Sequence, residues 1–170
     1  MWAIEEIINS KEKPKKKVAI LAERIKRDKK LVAQLVEFFK SGSDSERGTC
    51  MEAIEYVTKE APEFGETCLD FVIEHISDKA PRVKWEACRV IGNVAHKFPD
   101  KVKEVIPKLL ENTKDKGTVI RWGAAFALTE IAKSNSELQK QLIPEFHKIL
   151  KREASTGVKK IYLRCLKGEP

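Results

Sequence analysis

The amino-acid sequence predicts an all-α fold in which about four helix pairs stack side by side into a solenoid. The main observation is a period of about 37 residues, by which segment 78–114 is followed by a similar segment, 115–151. Within each segment the apolar residues recur at the spacing of an amphipathic helix. A fixed period in this range indicates helical repeats, because each unit covers its apolar face with its neighbours. The matched pairs include Trp85 with Trp122, Ala87 with Ala124, Ala95 with Ala132 and Pro107 with Pro144.

The length and composition of the chain fit one domain, residues 1–170. The chain has 170 residues, of which 42% are hydrophobic, so it can bury a sizeable core. The net charge of +7 is concentrated at the two ends, and residues 11–30 alone contain ten Lys or Arg against three Asp or Glu. Residues 31–146 are mildly acidic, so the net charge does not predict a basic groove in the middle of the array.

The cysteine pattern and the hydropathy predict a cytoplasmic protein. Four cysteines, at positions 50, 68, 88 and 165, show no paired spacing, and we interpret them as reduced core residues. No apolar run approaches the ~20 residues of a membrane span, and the N-terminus lacks the pattern of a secretory signal. We therefore expect no membrane partner.

The first 40 residues are predicted to form basic capping helices that cover the first repeat. Residues 1–9 form a short helix or docking segment in this interpretation. Pro14 suits the first turn of a helix over 15–27, which carries apolar residues on one face. A further helix over 31–40 is predicted to end at Gly42 in a left-handed cap.

Residues 41–151 are predicted to contain the three clearest repeats, and residues 152–170 a C-terminal capping helix. Ser43 and Glu46 match a capping box at the start of the first helix. Short connections between the helices are typical of antiparallel neighbours. The predicted helices are 46–60, 63–77, 82–97, 100–113, 119–133, 137–151 and 156–167.

Two segments resemble HEAT repeats, the helix-pair solenoids of importins, phosphatase scaffolds and bacterial lyase-type proteins. The residues that carry the resemblance are Asp78-Lys-Ala-Pro-Arg-Val-Lys-Trp-Glu-Ala87 and Asp115-Lys-Gly-Thr-Val-Ile-Arg-Trp-Gly-Ala124. The resemblance covers residues 35–151 well and the ends weakly. It implies a right-handed α-α superhelix, but it says little about function, because the same scaffold serves unrelated tasks.

The resemblance also implies two structural devices within each repeat. An Asp in the turn and a basic residue six positions later form an intra-repeat ladder in the family. A proline inside each first helix is expected to bend that helix. The matching residues are Asp78 with Lys84 and Asp115 with Arg121 for the ladder, and Pro107 and Pro144 for the bends. The segment 41–77 departs from the pattern, with Ser41 at the acidic position, Asp70 at the proline position and Arg47 at the basic position.

The second helix of each repeat has an aromatic and polar face opposite its apolar face. If the second helices line the concave wall, as in HEAT proteins, these residues form a continuous surface that could bind a protein segment. The alternative is that the tryptophans pack between repeats, since a solenoid helix is covered by its partner and by both neighbours. The candidate residues are Tyr56, Trp85, Arg89, Asn93, His96, Trp122, Phe126, Glu130 and Lys133.

A cluster of basic residues near the N-terminus is a second candidate surface. It could bind nucleic acid or an acidic partner, it could be a solvated helix face, or it could be a weak nuclear-import-like signal. Its residues are Lys13, Lys15, Lys16, Lys17, Lys26, Arg27, Lys29 and Lys30. The series Arg47, Lys84 and Arg121 could also bind phosphate, although ladder bonds explain most of it.

The sequence offers no catalytic constellation and no cofactor or metal motif. The histidines, at positions 75, 96 and 147, lie in three separate units without metal-ligand spacing. Some alkylpurine DNA glycosylases hold a damaged nucleotide on a HEAT-like concave face with Trp and Asp, and Trp85, Arg89 and Trp122 are loosely similar. The acid is missing at the equivalent position, where Arg89 and Phe126 follow the tryptophans.

We therefore predict a non-catalytic helical-repeat scaffold that binds a protein segment on its concave face. The alternative is a nucleic-acid-binding HEAT-like protein, remotely similar to a DNA glycosylase, that uses its basic termini and concave Trp and Arg residues. A third hypothesis is a structural solenoid fragment that joins a larger assembly through its ends. The oligomeric state stays open, with a monomer as the simplest expectation.

Overall fold

The computed structural model describes residues 2–168, with side chains from Ile4 onward. The described chain is helical, and it contains no strand over this range. The all-α prediction is therefore confirmed. A short 3-10 helix, Pro62–Phe64, leads directly into α5. The helices are α1 Trp2–Asn9, α2 Pro14–Arg27, α3 Leu31–Ser41, α4 Asp44–Glu60, α5 Gly65–Glu74, α6 Pro81–Val94, α7 Pro99–Lys103, α8 Ile106–Asn112, α9 Thr118–Ser134, α10 Ser136–Arg152 and α11 Thr156–Leu166.

Side-chain caps fix the start of three of these helices. The capping box at α4 is present: Ser43 Oγ accepts from the Glu46 amide at 3.3 Å, and the Ser43 amide donates to Glu46 Oε2 at 2.7 Å. Asn135 Oδ1 accepts the amides of the first turn of α10, at 2.9 and 3.1 Å. Ser155 caps α11 in the same way. These bonds satisfy backbone donors that a helix start leaves unpaired.

The helices stack in two rows, and one continuous apolar core lies between them. The second helices α2, α4, α6, α9 and α11 contact one another in succession, each touching the next. The first helices α3, α5, α7–α8 and α10 each pack on the second helix that follows them, and α1 packs on α2 and α3. The described helices form four such pairs, from α3/α4 to α10/α11, which agrees with the prediction of about four, and α1 with α2 adds a further layer. The solenoid prediction is confirmed.

Three local predictions need correction. The helix expected over 100–113 is divided into α7 and α8, and Pro107 lies in the first turn of α8 rather than inside a helix. Proline is tolerated in a first turn because the amide it lacks would be unpaired there. Pro144, in contrast, lies inside α10, which runs through it without a break. Gly42 follows α3 in an extended conformation with φ −74°, not in a left-handed cap.

The ladder of charged residues joins successive repeats, so the predicted intra-repeat ladder is wrong. Asp78 is paired with Arg47 of the preceding second helix rather than with Lys84. Lys84 pairs with Asp115 of the next turn, at 2.9 Å. The cause is the stacking of repeats, which places the acid of each turn beside the first turn of the preceding second helix.

Arg121 continues the ladder into the last repeat. Its Nε lies 3.0 Å from Oε2 of Glu153, a residue that the sequence analysis missed. The only bond from Arg121 to Asp115 among the described contacts goes to the backbone carbonyl, at 3.0 Å. Glu153 is displaced by one residue from the 37-residue register, which hid it from the alignment of repeats.

Each ladder acid also holds the turn that contains it. The carboxylates of Asp78, Asp115 and Glu153 accept the backbone amide two residues later, at 2.9, 2.8 and 2.9 Å. Burial alone would raise the pKa of each carboxyl, but these amides and the facing Lys or Arg lower it below its usual value. The ladder therefore stays ionised and fixes both the turn and the stacking of repeats. This structural task also accounts for the basic series that suggested phosphate binding.

Candidate binding surface on the second helices

Eight of the nine candidate residues of the predicted concave surface lie on three neighbouring second helices. Tyr56 lies on α4, the residues from Trp85 to Asn93 lie on α6, and those from Trp122 to Lys133 lie on α9. The ninth, His96, lies in the turn that follows α6. The side chains of His96, Trp122 and Lys133 are exposed, and the other six are half-buried.

Arg89 and Asn93 bond α6 to α4 rather than pointing freely to solvent. Arg89 Nη2 lies 3.0 Å from Glu55 Oε1, and its Nη1 lies 3.4 Å from Glu86 Oε2. Asn93 Nδ2 donates to the Glu55 carbonyl at 3.2 Å and to Thr58 Oγ1 at 3.3 Å. Two of the nine candidate residues are therefore used to hold neighbouring repeats together.

Two buried carboxylates share the single guanidinium of Arg89. Glu55 and Glu86 are each only 1% exposed. Burial raises the pKa of Glu86 to about 7, although Arg89 opposes this shift, and burial likewise raises the pKa of Glu55. Glu55 Oε2 is buried without a hydrogen-bond partner among the described residues. Burial thus disfavours the charged forms of both carboxylates, and Arg89 between α4 and α6 opposes this effect.

A groove of ≈ 500 Å³ opens beside this cluster. Glu52 and Glu60 at its sides are paired with cations, Arg82 and Lys26 respectively. The lining residues are Glu52, Glu55, Tyr56, Lys59, Glu60 and Arg89. Of this set, the list of candidate residues predicted from the sequence contains Tyr56 and Arg89. The sequence contains a signal for this groove, because the helical period places Glu55 on the buried face of its helix. A buried carboxylate needs a partner from another helix.

The two tryptophans of the surface differ in their surroundings. Trp85 fills the space left by Gly123 of α9: a Cβ at Gly123 would lie 3.0 Å from the Trp85 ring. Its indole nitrogen is buried without a hydrogen-bond partner among the described residues. Trp85 is thus packed between repeats, the alternative that the sequence left open.

Trp122 lies at the equivalent position of the next repeat and is 37% exposed. Its ring stacks on Phe126, with centroids 5.8 Å apart and planes 16° apart. Phe126 in turn covers Gly92 of α6. Val119, one turn before Trp122, is 52% exposed. The accessible aromatic surface is therefore centred on Trp122.

The N-terminal basic cluster is partly used by the fold. Lys17 Nζ donates to the Ile8 carbonyl at 2.6 Å and holds α1 against α2. Lys26 bonds to Glu60 of α4, and Lys16 pairs with Glu12 at 2.8 Å. Lys29 lies over the ring of Phe64. Within residues 2–168 the remaining members have no salt bridge and are exposed: Lys13, Lys15, Arg27 and Lys30.

The metal-ligating residue types and the cysteines are the remaining groups of chemical interest in the described part of the chain. No group of three or more His, Cys, Asp or Glu could hold a metal ion in this part of the chain. All four cysteines are free and buried, and burial raises the pKa of Cys50, Cys68 and Cys88 to about 12. No helix in the described range is long and apolar enough to cross a membrane.

Comparisons with known proteins agree with this architecture. The family model of the HEAT-like repeat matches residues 81–131, from the start of α6 to the last turn of α9. This segment is similar to a HEAT-like repeat. The match includes the aromatic and charged residues of α6 and α9 described above. Among curated proteins, no sequence matches the chain.

Solved structures of similar fold are helical-repeat proteins. A designed armadillo repeat protein in complex with the peptide (KR)4 is 21% identical, with a TM-score of 0.72 over 98% of this chain and 80% of that chain. An engineered protein is 17% identical, with a TM-score of 0.75 over 98% and 78%. The complex of CpcE and CpcF of phycocyanin lyase from Nostoc sp. PCC7120 contains a chain that is 21% identical, with a TM-score of 0.74 over 96% and 98%. These likenesses show the fold, and none of them supports the nucleic-acid alternative.

Proposed function

We propose that the chain is a non-catalytic scaffold that binds an extended segment of a partner protein along α4, α6 and α9, with residues 1–170 acting as one domain. The observation that carries this proposal is Trp122, which is exposed and stacks on Phe126. The equivalent residue of the preceding repeat, Trp85, packs against the next helix instead. The designed armadillo protein of the same fold is in complex with a peptide, and CpcE is in complex with CpcF, which supports a protein as the partner.

The physical argument rests on how an aromatic anchor contributes to binding. Trp122 offers a large contact area, and its stacking on Phe126 holds the ring in place before a partner arrives. A side chain that is already ordered loses little conformational entropy on binding, and anchors of this kind dominate the affinity of many interfaces. The four free cysteines support a reducing, cytoplasmic location.

Selection of binders from a displayed peptide library, followed by affinity measurement, tests this proposal. We expect Trp122→Ala to weaken binding of the selected peptides at least tenfold while the helical circular dichroism spectrum is retained. Leu163→Ala is the matched control, because Leu163 is also an exposed large apolar residue but lies on α11. If both variants bind the peptides as tightly as the unmodified chain, the surface around Trp122 is not the binding site.

A further inference from the structure

One carboxylate beside the groove between α4 and α6 has an oxygen that no hydrogen-bond donor reaches among the described residues. Arg82 forms a salt bridge with Glu52, and Lys26 forms one with Glu60. Arg89 forms salt bridges with both Glu55 and Glu86, which are the two buried carboxylates. In this arrangement, Glu55 Oε2 has no hydrogen-bond donor among residues 2–168.

A ligand that carries a hydrogen-bond donor would satisfy Glu55 Oε2. Buried carboxylate oxygens are normally satisfied, because a carboxylate removed from water loses its hydration without replacement. Glu55 borders the groove of ≈ 500 Å³, which has room for a side chain. The half-buried ring of Tyr56 lies next to it and offers an apolar surface to an aliphatic stem.

We propose that this groove is a subsite for an Arg or Lys side chain of the partner segment, whose cationic group donates to Glu55 Oε2. The inference rests on the proposed function and names the chemistry of the partner. The carboxylates of Glu52, Glu55 and Glu60 line the groove. A cationic donor beside Glu55 Oε2 would also favour the charged form of Glu55, which its burial disfavours. The chain as a whole carries a net charge of +7, so its overall field would repel a basic segment, and recognition has to come from these local carboxylates.

The position of the subsite relative to Trp122 also limits the partner sequence. Neighbouring helices pack about 8–10 Å apart, so the groove between α4 and α6 lies about 12–15 Å from α9 across the row. Glu55 stands seven positions beyond Gly48, the residue in register with Trp122, which adds about 10 Å along the helix axis. The distance is then about 16–18 Å, which about five residues of an extended chain span. We expect an apolar residue at Trp122 and a basic residue about five positions away.

The test uses two synthetic eight-residue peptides labelled with fluorescein. One alternates Leu and Arg, and the other replaces every Arg by citrulline, a neutral residue of nearly the same shape. Fluorescence anisotropy with the full chain should show at least tenfold tighter binding of the Arg peptide. Glu55→Gln should reduce this preference to about twofold or less. Glu66→Gln, an exposed change on α5, should leave the preference intact.

The outcomes separate this inference from the proposed function. Binding that depends on Trp122 but does not distinguish Arg from citrulline would overturn the inference and leave the proposed function standing. An unchanged preference in Glu55→Gln would also overturn it. Peptide binding that does not depend on Trp122 at all would overturn both. The comparison of the two peptides on the unmodified chain needs no variant. If Glu55→Gln fails to fold, Glu55→Asp takes its place, because the shorter side chain withdraws the oxygen and keeps the charge.

Discussion

Replacement of the buried Glu86 by Gln should stabilise the protein at high pH and have little effect at low pH. The pKa of Glu86 is raised from 4.5 to about 7 by burial, with Arg89 opposing the shift. The folded protein therefore binds more protons than the unfolded chain between about pH 4.5 and 7. The free energy of unfolding consequently falls as the pH rises through this window.

The size of the effect follows from the shift itself. A pKa difference of about 2.5, at about 1.4 kcal/mol for each pKa unit, gives about 3.5 kcal/mol over the whole window. Between pH 5 and pH 8 the expected change is about 2–3 kcal/mol, because part of the unfolded-state titration is already complete at pH 5. Glu86→Gln removes the titrating group and leaves Arg89 to Glu55, so its free energy of unfolding should lose this component of the pH dependence.

Urea unfolding at pH 5, 6, 7 and 8, followed by circular dichroism, measures the difference between the variant and the unmodified chain. The low-pH titration of the ladder acids, whose pKa values are lowered, is common to both proteins and cancels in the difference. Glu66→Gln, an exposed change, should give a difference that does not vary with pH. A constant difference for Glu86→Gln as well would refute the argument that burial of this carboxylate destabilises the fold at neutral pH.

Two further predictions concern the contacts between repeats. Arg121→Met should lower the free energy of unfolding by about 2–4 kcal/mol, because it leaves the buried Glu153 without a cation; a loss below about 0.5 kcal/mol in urea unfolding would contradict this. Gly123→Ala should cost about 1–3 kcal/mol, because the new Cβ would lie 3.0 Å from the Trp85 ring. Gly157→Ala, whose Cβ would meet only an ordinary contact at 3.7 Å, should be neutral or stabilising by up to about 1 kcal/mol in thermal unfolding. Equal losses for the two glycine variants would show that the Trp85 contact is not the cause.

The sequence was sufficient for the architecture because stacking imposes the same environment once per repeat. A residue that is buried in one second helix recurs one period later, as Ala87 and Ala124 do, and both are fully buried. Sequence motifs that depend on residues close together in the chain also predicted local structure correctly. The capping box of Ser43 and Glu46 needs only a separation of three positions, and the structure contains it.

The errors lie where the outcome depends on the neighbouring repeat. The ladder pairs join residues about 31 positions apart, from Arg47 to Asp78 and from Lys84 to Asp115, whereas the resemblance pointed to residues six positions apart. Whether an acid faces its own repeat or the preceding one is decided by the offset between stacked helices, which no short pattern contains. The same holds for Glu55, because its partners Arg89 and Asn93 come from the next second helix.

The different surroundings of Trp85 and Trp122 follow from the same dependence on the neighbour. Both residues stand seven positions after the acid of their turn, so the period alone assigns them one role. Trp85 is accommodated because the next second helix has Gly123, eight positions after the ladder acid Asp115. Eight positions after the next ladder acid, Glu153, the chain has Ile161 instead of a glycine. The repeat that follows Trp122 therefore lacks the glycine against which Trp85 packs, and Trp122 is 37% exposed whereas Trp85 is half-buried.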